Sequence, residues 1–203
     1  AETLVEMMSV LGVEVIWDKG NIRSHKKLIP TLERYPDNPI LVTDDDVLQN
    51  DGWLYTFLAD HEQHPDDIIY GVALSKIVVM GERIREMNNP RRIYSQPGMV
   101  SINLKPANGG CGTLYPAHTF NDKRFFDRDL LMRLSPTSDE TWQWAFCIMA
   151  GKRYRCLSKA IYPTPTDADQ TVSLWEMNKN IYDDIHNAIA EVIPEYKQKL
   201  KEL

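Results

Sequence analysis

The chain has 203 residues, 43% of them hydrophobic and 26% charged, with a net charge of −6 and a pI near 5.4. That length suits one domain with a sizeable core, residues 1–203, and the acidic balance excludes a general nucleic-acid binder, which needs a basic face. The three cysteines, Cys111, Cys147 and Cys156, lack the paired spacing of a zinc or redox site, so buried reduced thiols and a cytoplasmic setting are expected, and no apolar run approaches the ~20 residues of a membrane span.

Leu4, Met7, Met8 and Leu11 fall at helical spacing before Gly12, a C-cap position, and Val13 to Trp17 then predicts a strand. Helix, glycine, strand is half of a βαβ unit, so the chain is expected to be N-terminally incomplete and to lack its first strand. Ser24 predicts the N-cap of a short helix with Leu28, Ile29 and Leu32 inward, ended by Tyr35-Pro36-Asp37. Lys26 and Lys27 lie in its first turn, where the helix dipole disfavours cations. They are either a solvated pair or a phosphate site.

Ile40 to Val42 has no charge, as in a strand buried on both faces of a mostly parallel sheet, and Asp44, Asp45 and Asp46 follow at its C-terminal end. Open α/β sheets place ligands there. The three acids are either a solvated helix-starting turn or ligands for Mg²⁺ or Mn²⁺, which one or two carboxylates plus substrate phosphates commonly hold. A helix-loop-helix calcium loop fails at Leu48, Gln49 and Tyr55, where a ligand, a glycine and a bidentate Glu are required.

A helix from Trp53 to His61 with Leu54, Phe57 and Leu58 on one face, and a strand from Ile68 to Leu74, come next. Ser75 to Pro97, carrying Arg83, Arg85, Arg91 and Arg92, loses periodicity and predicts a loop-rich insertion. Met99 to Leu104 alternates as a half-buried strand. Gly109, Gly110 and Gly112 permit close backbone approach, serving either a phosphate cradle or a bulged strand start before Leu114. Helices are predicted over 122–133, with Phe125, Phe126, Leu130 and Leu131 inward, and from an opening at Ser135 to Trp142 to a stop at Gly151, with Trp142, Ala145, Phe146 and Met149 inward. Asp139 and Glu140 stand in the first turn of the latter as dipole acids or as catalytic groups. A strand at Arg153 to Ser158, a loop at Thr164 to Gln170 and a helix over 180–203 complete the chain.

Four segments, Arg23-Ser24-His25-Lys26-Lys27-Leu28-Ile29-Pro30, Val42-Thr43-Asp44-Asp45-Asp46-Val47, Gly109-Gly110-Cys111-Gly112-Thr113-Leu114-Tyr115-Pro116 and Pro136-Thr137-Ser138-Asp139-Glu140-Thr141-Trp142, resemble, in this order, bacterial nucleotide-sugar glycosyltransferases of the GT-A fold. The resemblance spans roughly residues 13–160. It implies an α/β fold with a central sheet flanked by helices, and transfer of a sugar from a nucleoside diphosphate to the hydroxyl of a glycan or lipid-linked glycan acceptor in cell-surface polysaccharide synthesis. Asp44 and Asp46 match the Asp-x-Asp motif that holds Mg²⁺ or Mn²⁺. Asp45, Arg23, Lys26, Lys27, Gly109, Gly110 and Gly112 are implied donor contacts. Asp139, preferred over Glu140, matches the general base of inverting members, and Trp142 is either core or a sugar platform. A peripheral position at the inner face of the membrane fits such an acceptor. A non-catalytic partial module is the alternative reading, with a phosphoryl or nucleotidyl transferase as a third. Without a first strand, the sheet would keep an open edge suited to self-association, and nucleotide affinity would be poor.

Overall fold

The computed structural model describes residues 2–71, 74–87, 96–106, 109–161, 164–166, 178 and 180–203 as a mixed α/β fold. Its main sheet takes β1 (Ile40–Val42), β3 (Ile68–Tyr70), β6 (Val100–Ser101), β8 (Thr113–Tyr115) and β9 (Tyr154–Cys156) in the order β1-β8-β3-β9-β6. Only β3 and β9 pair in parallel; β1 with β8, β8 with β3 and β9 with β6 are antiparallel. The sheet is therefore mixed, which corrects the mostly parallel expectation. An apolar run reports cover on both faces and carries no information on direction. Because β8 reverses between β1 and β3, those two and β9 still run the same way. Their C-terminal ends share one edge.

The pleat sorts this sheet onto two cores. Leu41, Leu114 and Ile69 lie level with one another and pack with Phe57 and Trp53 of α3 (Trp53–Gln63). Ile40, Val42, Tyr115, Ile68, Tyr70, Tyr154 and Cys156 face the opposite side, onto Trp142, Ala145, Phe146 and Cys147 of α5 (Asp139–Met149). Phe57 is the buried apolar residue of α3, with Asp60 buried on the same helix. Leu54 and Leu58, expected inward, are 52% and 49% exposed.

Of the expected insertion at 75–97, residues 88–95 fall outside the described residues, and 75–87 are not a loop. β4 (Leu74–Met80) and β5 (Arg83–Met87) form a hairpin, and β7 (Leu104–Pro106) pairs with β4 to complete a second sheet. Charged side chains at inward positions hide this pattern, since Glu86 and Lys105 are both buried. Arg85 pairs with Asp183, while Arg91 and Arg92 lie outside the described residues. Met99 to Leu104 is likewise not one strand, because β6 joins the main sheet and β7 the second. A two-stranded ladder of β2 (Val47–Leu48) with β10 (Thr164–Pro165) replaces the start of the expected loop at 164–170, of which 167–170 fall outside the described residues.

Several predicted helices are broken where local chemistry says they must be. The Ser24 helix is a 3-10 turn, Arg23–Lys27, with Ile22 at its N-cap, followed by α2 (Ile29–Arg34). Asp127 splits 122–133 into a 3-10 turn, Lys123–Phe126, and α4 (Arg128–Leu134), its carboxylate accepting from Leu130 N at 2.9 Å. Pro194, which cannot donate a helical hydrogen bond, separates α6 (Tyr182–Val192) from α7 (Pro194–Lys201). At the other end, α1 (Glu2–Val10) forms as expected, but 13–17 pairs with no strand among the described residues. Trp17 there is 77% exposed, and an unpaired apolar segment cannot satisfy its backbone as a strand. β1 forms the edge of the main sheet. Among the described residues no helix is long and apolar enough to cross a membrane.

Gly112 shows how tightly the loop before β8 is fitted. Its φ is +95°, and a Cβ there would stand 2.9 Å from the Trp53 ring and 3.0 Å from Phe57. Gly112→Ala should therefore destabilise the fold by roughly 2–4 kcal/mol through strain and overpacking. Equilibrium urea unfolding checks this, and an unchanged midpoint contradicts the packing described.

Candidate active site

Beyond the C-terminal end of β1, a pocket is lined by Lys27, Asp44, Asp139, Glu140, Gln143, Tyr115 and Tyr154 among others. Each comes from a different constraint. Asp44 follows β1 directly. Tyr115 and Tyr154 point to this side by the pleat. Asp139 and Glu140 open α5, whose N-terminus is fixed because Ser138 accepts from Thr141 N and its Oγ lies 2.7 Å from Thr141 Oγ1. Lys27 ends the Arg23–Lys27 turn, which buried His25 ties to the base of α5 by donating Nε2–H to Ser135 O at 2.8 Å. Burial lowers the His25 pKa against the pull of Asp139 and the Ser135 carbonyl.

Lys27 forms an ion pair with Asp44 across the pocket. Desolvation opposes its charge, yet Asp139, Asp44 and Glu140 together hold its pKa above the ordinary lysine value. Desolvation also pushes Glu140 up to about 7, with Asp139 and Asp44 adding to the rise and Lys105 and Lys27 resisting it. Gln143 joins the walls. Tyr115 donates to its Oε1 at 2.7 Å, and its Nε2 donates to Asp139 at 3.4 Å. The space left between these groups is about 30 Å³, enough for water rather than a sugar.

Beneath Glu140 lies a buried polar network. Lys105 is 3.2 Å from Glu86 and stands 4.8 Å over the Tyr182 ring. His186 donates Nε2–H to Glu86 at 3.0 Å and accepts from the Tyr196 hydroxyl at 2.6 Å. Burial alone would raise Glu86, but Lys105 and His186 outweigh it and bring its pKa to about 2.

Of the residues singled out from sequence, Lys27, Asp44, Asp139 and Glu140 converge on one pocket. Arg23, Lys26 and Asp45 are exposed and outside its lining, and Asp46 is also outside it, its carbonyl accepting from Thr166 N at 2.9 Å. Gly109 and Gly110 lie in a 3-10 turn, with Gly110 O accepting from Gln49 Nε2 at 2.7 Å. Gly112 meets aromatic rings, which accounts for glycine there without a ligand. Trp142 is core, wholly buried with its indole donating to Phe125 O at 3.1 Å. Gln143 and Lys105 were not singled out. Gln143 stands four residues after Asp139, a spacing that puts both on one helix face. Nothing local distinguishes Lys105.

The chain matches no family model, no curated protein and no solved structure.

The Glu140 shift has a stability consequence. Folding disfavours its charged form, so its contribution is intact below the ordinary value of 4.5 and lost as pH rises through about 7. Glu140→Gln should thus gain stability over the wild type between pH 5 and pH 8, by at most roughly 3 kcal/mol. Thermal unfolding at the two pH values checks it. A stability difference that does not grow with pH overturns this picture of the carboxyl.

Proposed function

We propose that this chain is a metal-dependent glycosyltransferase with a GT-A-like site, moving a sugar from a nucleoside diphosphate to an acceptor hydroxyl. The observation that supports it is convergence: all four segments carrying the resemblance, up to 113 residues apart as Lys27 and Glu140, line one pocket beyond a strand end. Acidic residues of unrelated purpose have no reason to meet there.

Asp44, with Asp46 two residues on, would hold Mg²⁺ or Mn²⁺. The fit is to a shared shell, since among the described residues no group of three or more His, Cys, Asp or Glu is placed to hold a metal ion by itself and such ions take one or two carboxylates plus phosphate oxygens. When bound, the ion neutralises charge on the departing diphosphate. Glu140 takes the proton of the acceptor hydroxyl, in place of the Asp139 favoured by sequence, because a carboxyl near pH 7 is matched to proton transfer at neutral pH. Asp139, held by Gln143, stands beside it and adds to the rise of its pKa. Lys27 is the pocket's cation for phosphate. Lys105 supplies a fixed positive charge behind Glu140.

Calorimetric titration with a panel of nucleoside diphosphates should show affinity that rises with Mn²⁺, and Asp44→Asn should remove the Mn²⁺-dependent part. Glu140→Gln should keep donor binding while lowering donor turnover roughly 10²-fold. Metal-dependent binding that survives Asp44→Asn overturns the metal assignment. Binding with no donor cleavage across the panel moves the chain to the non-catalytic reading.

A further inference from the structure

We propose that Lys27 is a stand-in cation, its ammonium occupying the Asp44 carboxylate that a divalent ion would take and yielding it only when donor phosphates draw the lysine away. The ligand in this statement rests on the transferase reading; the competition between Lys27 and a metal ion does not.

Three observations carry it. The first is the ion pair itself, both partners of which line a space of about 30 Å³, so the carboxylate that faces this space is already matched by a cation. The second is the setting of the lysine, which faces Asp44, Asp139 and Glu140 together. That concentration of negative charge needs a cation at all times, and among the pocket-lining side chains Lys27 is the one that brings it. The third is its mounting. The turn beneath it is pinned by the His25 to Ser135 hydrogen bond and by buried Ile22 and Leu28, while its own side chain is 34% exposed. A fixed root with a flexible four-carbon stem allows the ammonium to move several ångströms without disturbing the fold.

The chemistry then follows from charge. A divalent ion at Asp44 and an ammonium on the same carboxylate repel, so the metal alone binds weakly. A diphosphate offers the ammonium a stronger partner than one carboxylate does, and its departure frees Asp44 for the ion that the phosphates bring. Metal and nucleotide are taken up together, and Lys27 acts on them with opposite sign: it hinders the metal alone and helps the metal with nucleotide.

The test is Mn²⁺ binding, followed by electron paramagnetic resonance and calorimetry, in the wild type, Lys27→Met and Lys27→Met combined with Asp44→Asn. Melting curves establish that each variant is folded, as the position on the rim leads one to expect. Lys27→Met should bind Mn²⁺ alone at least roughly tenfold more tightly than the wild type, and the double variant should lose that gain. The same Lys27→Met should bind nucleoside diphosphate with Mn²⁺ at least roughly tenfold more weakly. Unchanged or weaker Mn²⁺ binding by Lys27→Met, or a gain that survives Asp44→Asn, overturns the proposal. A gain that behaves as expected, in a protein that binds no nucleoside diphosphate, upholds the stand-in role and removes the transferase function instead.

Discussion

The site depends on the burial of α5. Trp142, Trp144, Ala145, Phe146, Cys147 and Ile148 are all buried, so the helix is covered on nearly every side. A helix so enclosed has little room for charged groups along its length, and its two acids, Asp139 and Glu140, stand in its first turn while Gln143 reaches the same pocket from the second. Since the opposite side of the same core is the sheet face bearing Val42, Tyr115 and Tyr154, packing alone brings the acids of α5 to the end of β1, where Asp44 begins. Trp144 adds a direct tie by donating to Leu104 O of β7 at 3.3 Å.

That enclosure explains why much of the candidate site was legible from sequence. Two short signals, an apolar run stopping at Asp44 and a helix start with Asp139 and Glu140 in its first turn, are local in origin, and the fold joins them because each terminates a buried element. Lys27 was legible for a different reason. Its expected place was the first turn of a helix, where a cation is misplaced unless an anion answers it; it instead ends a 3-10 turn, and Asp44 is the anion beside it. Strand direction, by contrast, leaves no mark on an apolar triplet such as Thr113 to Tyr115. The second sheet was obscured because its inward positions include Glu86 and Lys105, charges whose compatibility with a core depends on one another and on His186 from α6, some hundred residues away.

The buried network is costly in isolation and sensible in place. Desolvating an ammonium and a carboxylate is repaid only where further hydrogen bonds satisfy both. Glu86 receives Lys105, the His186 ring and, through its own backbone N–H at 2.7 Å, gives one bond to Asp183. Asn187 completes the neighbouring turn of α6 by bonding both the N–H and the carbonyl of Ile84. The edge of β5 is thereby closed by side chains of one helix, which removes an exposed ladder and locks the second sheet against α6. Lys105 is consequently immobile.

Two lysines thus serve the same carboxylates under different physical conditions. Lys105 is wholly buried and held by Glu86, so its charge reaches Glu140 constantly and cannot be withdrawn. Lys27 is one-third exposed and its ammonium is held by Asp44, in a dielectric where such a pair is worth little against a better anion. A pocket with only fixed cations would bind phosphate but could not adjust to a metal arriving with it. A pocket with only mobile ones would leave Glu140 too reluctant to ionise. Dividing the positive charge between a rigid strand and a flexible rim side chain lets proton transfer and ligand exchange be governed separately, although the groups involved share one small space.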